Sequence, residues 1–406
     1  MPTFVRTSIG FYLLAMAVGL ALRFWFVFPF GGFVFQHALH AHSHTLYFGW
    51  CALGILALAF RRVGATGRWP TRLLGVVAAL SACTFVSFLH GGYSAPSIAL
   101  SALSLPIWGI AVGTFWKHAR GKQGIDLAFL RTGVVYLAVA SSGAVIRTVL
   151  IALHASAFAK SLAVFGFLHN FAWFFVFSVI GLLVAQAEAL GVRFDERLLR
   201  WQLRLAAPLA WLTFPLGVAG GDQGALGIAA RIAAVLLLVP AGLGAAALWK
   251  SSSQASAGPR GAFRWLALWL VCEALLSATG GFGVAGLAVQ SRHLAILYLH
   301  VLLVGVVSLG LMLAHLTSLG APVRAGAWLH NAGLSVMAAG LGLAGLPVFG
   351  WSLPESLPRI GLVLAAAGGA IVYAAGLTWA VGALRSKQHQ RMPDARQVGS
   401  ELTAAQ

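Results

Sequence analysis

Charged residues are scarce in this chain, and acidic residues are the scarcest of them. Of the 406 residues only 9% are charged, and aspartate and glutamate together number 9. Soluble domains carry about 25% charged residues, so a sizeable soluble domain is excluded. Hydrophobic residues make up 60% of the chain. Apolar runs of about 18 or more residues, each long enough to span a bilayer, recur from end to end. The chain is therefore predicted to be an all-α polytopic membrane protein.

Cysteine is scarce as well. The three cysteines, Cys51, Cys83 and Cys272, lie inside apolar runs. This placement excludes a disulfide framework and a CxxC metal site, and it indicates small buried hydrophobic side chains. The sequence has no CxxCH motif, which excludes a covalently attached c-type haem. If the chain transfers electrons, its partner must therefore be a quinol or a redox protein.

Twelve apolar segments are present, and each is interpreted as a helix because backbone polar groups in lipid must be satisfied within the segment. The predicted spans are 8–30, 36–60, 72–91, 95–117, 128–150, 158–187, 203–219, 225–249, 263–285, 292–317, 326–349 and 357–384. Residues 1–385 are thus predicted to form one twelve-helix transmembrane domain. The polar residues 386–406 are predicted to be a disordered cytoplasmic tail.

Basic residues indicate the orientation of these helices. With the N-terminus inside, the inner loops and tails contain all but six of the 27 lysines and arginines. The exceptions are Arg23, Arg147, Lys160, Arg231, Arg292 and Arg359. By the positive-inside rule both termini are predicted to be cytoplasmic, in a bacterial inner membrane. The net charge of +18 is accordingly interpreted as a topology signal and not as a nucleic-acid surface.

Histidines collect on the predicted outer side of the membrane. Those on the outer side are His37, His40, His42, His44, His90, His154, His169, His293 and His300, and those on the inner side are His118, His315, His330 and His389. Histidine is the commonest side-chain ligand of metal ions and also ligates haem iron. Scattered core histidines would not favour one side so strongly, so the outer group is the candidate site. For any one of them, a hydrogen bond to a carbonyl group or to headgroup water is the alternative.

The four histidines of helix 2 are not equivalent. His37, His40 and His44 share one helix face, and His42 points roughly the opposite way. Either His42 or His44 can therefore face the bundle core, but not both. The pair His40 and His44 also has the spacing to chelate copper or zinc.

Helices 2, 6 and 10 show a repeat with a period of four helices. They carry His44, His169 and His300 in their outer halves, which predicts three four-helix units. Gly49 and Gly305 each follow a histidine by five residues. These glycines allow the close approach of either a flat macrocycle or another helix.

Few other charged groups are candidates for function. Glu273 is the clear carboxylic acid within an apolar segment, and it is interpreted as either a functional residue or a neutral acid. One embedded acid argues against a strong proton pump. Arg147, Arg292 and Arg359 lie near the outer ends of their helices. They are expected either to pair with haem propionates or to anchor the helices at lipid headgroups.

Twelve helices with histidines on helices 2, 6 and 10 near the outer face resemble the catalytic subunit I of the haem–copper oxidase and nitric oxide reductase superfamily. Four short strings resemble a short, divergent branch of it that lacks most copper ligands. They are His42-Ser43-His44 before Gly49-Trp50, the Ser87-Phe88 pair before Gly92-Tyr93, Phe167-Leu168-His169, and Tyr298-Leu299-His300 before Gly305. The NnrS family of haem- and copper-containing proteins is also similar in size and has an HxH on an early helix. The resemblance implies a low-spin haem b between helices 2 and 10, with His44 and His300 as its ligands. His42, His40 and His169 are additional ligand candidates, and Arg292 and Arg359 are candidate propionate partners.

The chain also departs from that superfamily. Helix 7 has no histidine to complete a copper site with His169, and Tyr298 stands where a haem-binding histidine is expected. Tyrosine can ligate haem iron, but the binuclear oxygen-reducing centre is expected to be absent. Any enzyme activity would then be that of a haem-dependent oxidoreductase without a complete centre.

Three functions remain open at this point. The leading hypothesis is a haem b protein for electron transfer or for handling a small gas such as nitric oxide or oxygen. The first alternative is a copper-binding or copper-handling membrane protein without haem, using His37, His40, His42, His44 and His169. The second is a transporter on an unrelated twelve-helix fold. The modest length of the loop between helices 6 and 7 counts weakly against the transporter.

Overall fold

The computed structural model describes residues 1–32, 34–282, 290–351 and 354–386, and these residues form helices and connecting loops without a strand. The twelve helices are α1 (Pro2–Val27), α2 (Phe35–Arg62), α3 (Arg68–Gly91), α4 (Ala95–Ala119), α5 (Ile125–Ala152), α6 (Ala157–Ala185), α7 (Glu196–Leu212), α8 (Gly224–Ser252), α9 (Ala257–Phe282), α10 (Arg292–Leu319), α11 (Arg324–Phe349) and α12 (Ser356–Arg385). All of these except α7 are long and apolar enough to cross a membrane. The prediction of an all-α, multi-pass membrane protein is confirmed. His389, most of the predicted tail and the end of predicted helix 9 lie outside the described residues.

The two ends of the helical domain lie on the same side of the molecule. The guanidinium group of Arg6 donates to the carbonyl oxygens of Ala383 (3.3 Å) and Ser386 (3.4 Å). The start of α1 therefore adjoins the end of α12. We call this the terminal side of the molecule, and we call the opposite side the far side.

The short helix α7 runs from the terminal side to about the middle of α6. At its start, Asp195 accepts a hydrogen bond of 2.9 Å from Lys250 at the end of α8. Just after its end, Thr213 contacts His169 of α6 at 3.2 Å. The predicted range 203–219 was wrong at both ends. Asp195 caps the helix by accepting from the N–H groups of Arg197 and Leu198, so it begins earlier, and a 3₁₀ turn at Phe214–Gly217 replaces its predicted end.

Three helices form the centre of the bundle. The apolar stretches of α2, α6 and α10 are 83%, 72% and 72% buried, whereas those of the other eight spans are 22% to 44% buried. These are the helices that the histidine repeat places second in each four-helix unit. Aromatic rings join α2 to α6, with ring centroids of Tyr47 and Phe171 separated by 5.9 Å. Close packing at Gly310, where an added Cβ would lie 2.4 Å from Val179, joins α10 to α6.

Both α2 and α10 contain a π-helical segment at the same point. The segments are Thr45–Ala52 and Val301–Ser308, and they directly follow His44 and His300. The indole of Trp50 in the first segment donates a 3.0 Å hydrogen bond to the hydroxyl of Ser308 in the second. The segment in α10 also interacts with α11, because a ring nitrogen of His330 lies 3.1 Å from the carbonyl oxygen of Val304. The resemblance between α2 and α10 thus extends from sequence to backbone geometry.

We expect the terminal side to face the cytoplasm, because the loops there carry most of the basic residues. A cytoplasm-active reporter fused after Thr66, Gly121 or Gly191 should be active, and one fused after Ser94, Ala155 or Gly220 should be inactive. An export-dependent reporter should give the inverse pattern. Activity of the cytoplasmic reporter after both Gly191 and Gly220 would show that α7 does not cross the bilayer.

The pair between Asp195 and Lys250 should make stability depend on pH. The hydrogen bond from Lys250, followed by those from the N–H groups of Leu198 and Arg197, lowers the pKa of Asp195. A lowered pKa in the folded state stabilises the protein above the unfolded value of about 3.9. This stabilisation is lost as the pH falls through the folded value. Asp195→Asn should therefore lower the melting temperature near pH 7 by roughly 1 °C, because the pair is exposed.

The difference between Asp195→Asn and the wild type should shrink towards zero at acidic pH. Asparagine still caps a helix, so the variant removes the charge and keeps the cap. Glu188→Gln is the matched control, because Glu188 is exposed in the same loop and forms no ion pair among the described residues. Melting curves in detergent at a series of pH values would measure both variants. A deficit of Asp195→Asn that stays constant with pH would contradict the assignment.

Candidate functional site

The histidines of α2 lie on two different faces of the helix. His40 and His44 face α3, where the His44 ring stacks on Phe88 with centroids 4.1 Å apart. The His40 ring lies 4.4 Å from the ring of Tyr93, just beyond the end of α3. His37 lies against the turn at Gly92, where an added Cβ would be 2.5 Å from its ring. The sequence prediction that these three histidines share one face is confirmed.

His42 points away from α3 and packs against α1. Its Nδ1 lies 2.7 Å from the carbonyl oxygen of Ala15. One turn further along α1, a Cβ added at Gly19 would lie 2.7 Å from Cε1 of His42, so only glycine leaves room for the ring. A carbonyl oxygen only accepts, so Nδ1 carries the hydrogen and Nε2 retains its lone pair.

His300 has the same local arrangement on α10. Its Nδ1 lies 2.7 Å from the carbonyl oxygen of Ile296, one turn earlier in the same helix. Nε2 of His300 and Nε2 of His42 have no hydrogen-bond partner among the described residues. Each histidine therefore holds one nitrogen with a free lone pair, and a carbonyl group fixes its tautomer.

His42 and His300 line the same cavity. The cavity has a volume of about 280 Å³ and lies between α1, α2 and α10, with Met337 of α11 and Gly369 of α12 on its wall. The other lining residues are mostly apolar. Phe26 and Phe35 also line it, with ring centroids 5.2 Å apart. We call this the first cavity.

Two arginines also line the first cavity. Arg23 extends from α1, and its Nη1 atom is buried without a hydrogen-bond partner among the described residues. Arg292 is at the start of α10, with its Cζ atom 5.7 Å from the ring centroid of Phe35. The described residues that line the cavity include no carboxylate. A buried guanidinium group without a partner is costly, so the cavity favours an anionic group near Arg23.

The donor set fits a haem with two histidine ligands. Haem iron needs one nitrogen on each face of the ring, and haem propionates need cationic partners such as Arg23 and Arg292. The volume of about 280 Å³ is just below the range of about 300–1,000 Å³ for small-molecule pockets. A macrocycle therefore requires side chains around the cavity, such as Phe26, to move aside.

The structure separates the other predicted site residues from the first cavity. His44 and His40 lie against α3, and Arg359 is exposed near the start of α12. His169 lines a different cavity together with Tyr298, which is described below. Among the described residues there is no group of three or more histidine, cysteine, aspartate or glutamate side chains arranged to hold a metal ion.

The two repeat glycines serve helix packing. A Cβ on Gly49 would lie 2.5 Å from the Phe11 ring of α1, and one on Gly305 would lie 2.9 Å from the Trp269 ring of α9. Of the two alternatives, the close approach of another helix is the one that the structure contains. Each glycine receives an aromatic side chain from an outer helix.

Sequence reasoning missed Arg23 as a site residue. It was counted only as a basic residue inside the first apolar segment. A charged residue within a membrane span is itself a signal of function, and that signal was available. The preference for His42 over His44 had no such signal, because the choice depends on which neighbouring helix lies on each side of α2.

Gly19→Ala should disturb the site, because the new methyl group collides with His42 and the contact with Ala15 prevents the ring from moving away. We expect a loss of about 1–3 kcal/mol in unfolding free energy, the usual range for overpacking. Gly10→Ala in the same helix is the control, because an added Cβ there has no atom within 4 Å. It should be neutral or stabilising by up to about 1 kcal/mol. Thermal unfolding of the two variants in one detergent would compare them, and equal stabilities would contradict the tight contact.

No protein-family model matches this chain, and no curated protein matches it either. The likeness to the haem–copper oxidase superfamily therefore rests on the helix order and the four short strings. What the residues themselves support is an all-helical, multi-pass membrane protein with a cavity that brings together two histidines and two arginines.

Proposed function

We propose that this chain is a membrane protein that binds one haem b in the first cavity and transfers electrons through it. One observation carries the proposal. His42 and His300 come from different central helices, line one cavity and each keep Nε2 free among the described residues. A low-spin haem site requires this combination, in which two imidazoles of fixed tautomer approach a common space.

The carbonyl partners of the two histidines support this assignment. Haem and metal ligands commonly donate their second ring N–H to a carbonyl or carboxylate group, which orients the ring and raises its basicity. Ala15 and Ile296 supply these carbonyl groups to His42 and His300. The partner of His42 belongs to α1, so three helices together hold the two rings.

The arginines support an anionic cofactor. A guanidinium group binds a carboxylate through charge-assisted hydrogen bonds, which are the strongest of the ordinary kinds. Two propionates would give Arg23 the partner that it lacks and would neutralise Arg292. Arg23 thus takes the role that the sequence analysis assigned to Arg359.

A bound haem would supply one-electron chemistry. With His42 and His300 both used as ligands, no coordination position would remain open for a gas, so electron transfer is favoured over handling of nitric oxide or oxygen. We propose a bacterial cytoplasmic membrane as the location, with the terminal side inside, on the basis of the basic loops.

The copper-handling alternative has less support. A small copper or zinc site usually takes three or four donors, and the described residues contain no such cluster. The candidates His37, His40 and His44 pack instead on α3 and the turn that follows it, against Gly92, Tyr93 and Phe88. A transporter would also use a lined cavity, but it would not require free Nε2 atoms on two histidines.

The visible spectrum of the purified protein tests the proposal. The wild type should show a Soret band, and metal analysis should give about one iron per chain. His42→Ala and His300→Ala should each lower the haem content at least about tenfold. Loss of an outer-shell partner alone already costs about 10–100-fold in metal affinity, and loss of a ligand should cost more. Arg23→Gln should weaken haem retention less than either histidine variant.

His44→Ala is the matched control, because this histidine is two residues from His42 and lies against α3. It should keep the Soret band of the wild type. Loss of the band in His44→Ala together with its retention in His42→Ala would instead support the ligand pair implied by the family resemblance. Copper without iron and without a Soret band would refute the haem proposal and favour the copper-handling alternative.

A further inference from the structure

A second cavity of about 320 Å³ lies on the other side of α10 from the first cavity. Its volume falls within the range of about 300–1,000 Å³ that is typical of small-molecule pockets. Residues from α6, α8, α9, α10 and α11 line it, together with the 3₁₀ turn after α7. Ala295 and Leu299 of α10 line both cavities, so one helix separates the two spaces.

One histidine gives this second cavity a hydrogen-bond acceptor. Nε2 of His169 lies 2.7 Å from the carbonyl oxygen of Ala210, so Nε2 carries the hydrogen. The hydroxyl of Thr213 lies 3.2 Å from the same nitrogen. Nδ1 then holds the lone pair, and it has no hydrogen-bond partner among the described residues.

A cluster of three groups gives the cavity its hydroxyls. The hydroxyl groups of Ser277 and Tyr298 line the cavity, and both are held by the buried carboxyl group of Glu273. Oε1 of Glu273 accepts from Ser277 at 2.8 Å and from Tyr298 at 3.3 Å. Glu273 has no cationic partner among the described residues.

The rest of the lining is apolar and uncharged. It includes the rings of Phe165 and Phe349 and the side chains of leucine residues on α9 and α10, and no lysine or arginine. The surrounding helices are membrane spans, so a ligand that enters from the lipid must itself be soluble in the bilayer. The described lining residues include no cation to pair with a carboxylate or phosphate, which favours a neutral molecule.

We infer that the second cavity binds the head group of a neutral, lipid-soluble quinol or quinone. A flat ring suits the aromatic and leucine walls, and its oxygen suits the polar groups. A quinol hydroxyl can donate to Nδ1 of His169. A quinone carbonyl can accept from the Tyr298 hydroxyl, which exchanges its hydrogen bond to Glu273 (3.3 Å, the longer of the two) for one to the ligand while Ser277 stays on Glu273. This inference goes beyond the haem proposal, because the binding uses none of the residues assigned to haem.

A binding titration tests this inference on the full chain in lipid nanodiscs. The probe is decylbenzoquinone, and decylbenzene, which lacks the oxygen atoms, is the ligand control. We expect the quinone to bind saturably and decylbenzene to bind at least about tenfold more weakly. Tyr298→Phe should weaken quinone binding about 3- to 10-fold, which is the effect of one lost hydrogen bond. The same substitution should leave decylbenzene binding unchanged.

Tyr93→Phe is the matched control variant, because its hydroxyl is lost outside the second cavity and binding should be unaffected. Ser277→Ala is a second, smaller change at the site and should weaken binding in the same direction as Tyr298→Phe. Tyr93→Phe and Ser277→Ala should both elute from gel filtration as the wild type does. Equal binding of the quinone by the wild type, Tyr298→Phe and Ser277→Ala would overturn the inference.

Photo-cross-linking locates the ligand directly. An azido derivative of decylbenzoquinone should label peptides from α6, α9 and α10 around His169, Ser277 and Tyr298, and excess decylbenzoquinone should abolish the labelling. Labelling spread over the lipid-facing surface, or not displaced by competitor, would overturn the inference. Haem content is measured in the same samples. If the protein contains haem but does not bind the quinone, only the inference about the second cavity is refuted. If it binds the quinone but contains no haem, only the haem proposal is refuted.

Discussion

Polar groups within the membrane spans have to find their partners inside the helix bundle, because the surrounding hydrocarbon offers none. The centre of the bundle shows how this constraint is met. Trp50 donates to Ser308, Trp269 donates to Asn331 at 2.7 Å, and Ser8 lies 2.8 Å from a ring nitrogen of His315. These contacts join the two π-helical segments to each other, the outer helices α9 and α11 to each other, and the outer helix α1 to the central helix α10. Against this background, the few polar atoms without a partner are the informative ones.

Some residues with such atoms line the two cavities. Arg23 keeps Nη1 without a partner among the described residues, and His42 and His300 each keep Nε2; all three line the first cavity. His169, which keeps Nδ1 without a described partner, lines the second. By contrast, His315 and His330 use Nε2 within the core, on Ser8 and on the Val304 carbonyl. These two histidines are part of the packing. His315 and His330 also keep one ring nitrogen, Nδ1, without a partner among the described residues, so what distinguishes the binding candidates is that they line a cavity.

Much of the fold could be predicted from the sequence, because bilayer thickness and apolar length are tightly linked. The twelve helices follow from the apolar runs. The histidine repeat singled out α2, α6 and α10, and the structure adds that these three helices form the centre of the bundle. The exception was α7, which begins in a basic, amphipathic stretch at Glu196 where apolar length gives no signal. There a capping aspartate set the helix start.

The candidate site was predicted less completely. Helical periodicity separated His42 from His37, His40 and His44, but it could not say which face met α10. The family resemblance favoured His44, and the packing of α1 at Gly19 brings His42 to the cavity instead. Arg23 and the grouping of His169, Ser277 and Tyr298 depend on contacts between helices that are distant in sequence. A single sequence gives no direct information on such contacts.

The π-helical segments of α2 and α10 help to determine the directions in which the His42 and His300 side chains point. A π turn holds one residue more than an α turn, and one residue of an α-helix corresponds to about 100° of rotation. In α2 and α10 the segments separate the histidine-bearing far halves from the terminal halves that pack in the core. Inserting or deleting one residue there would turn the far half of the helix relative to its terminal half. The direction in which the His42 and His300 side chains point therefore depends on the register of the backbone hydrogen bonds in α2 and α10. A one-residue insertion or deletion can change that register without altering either histidine.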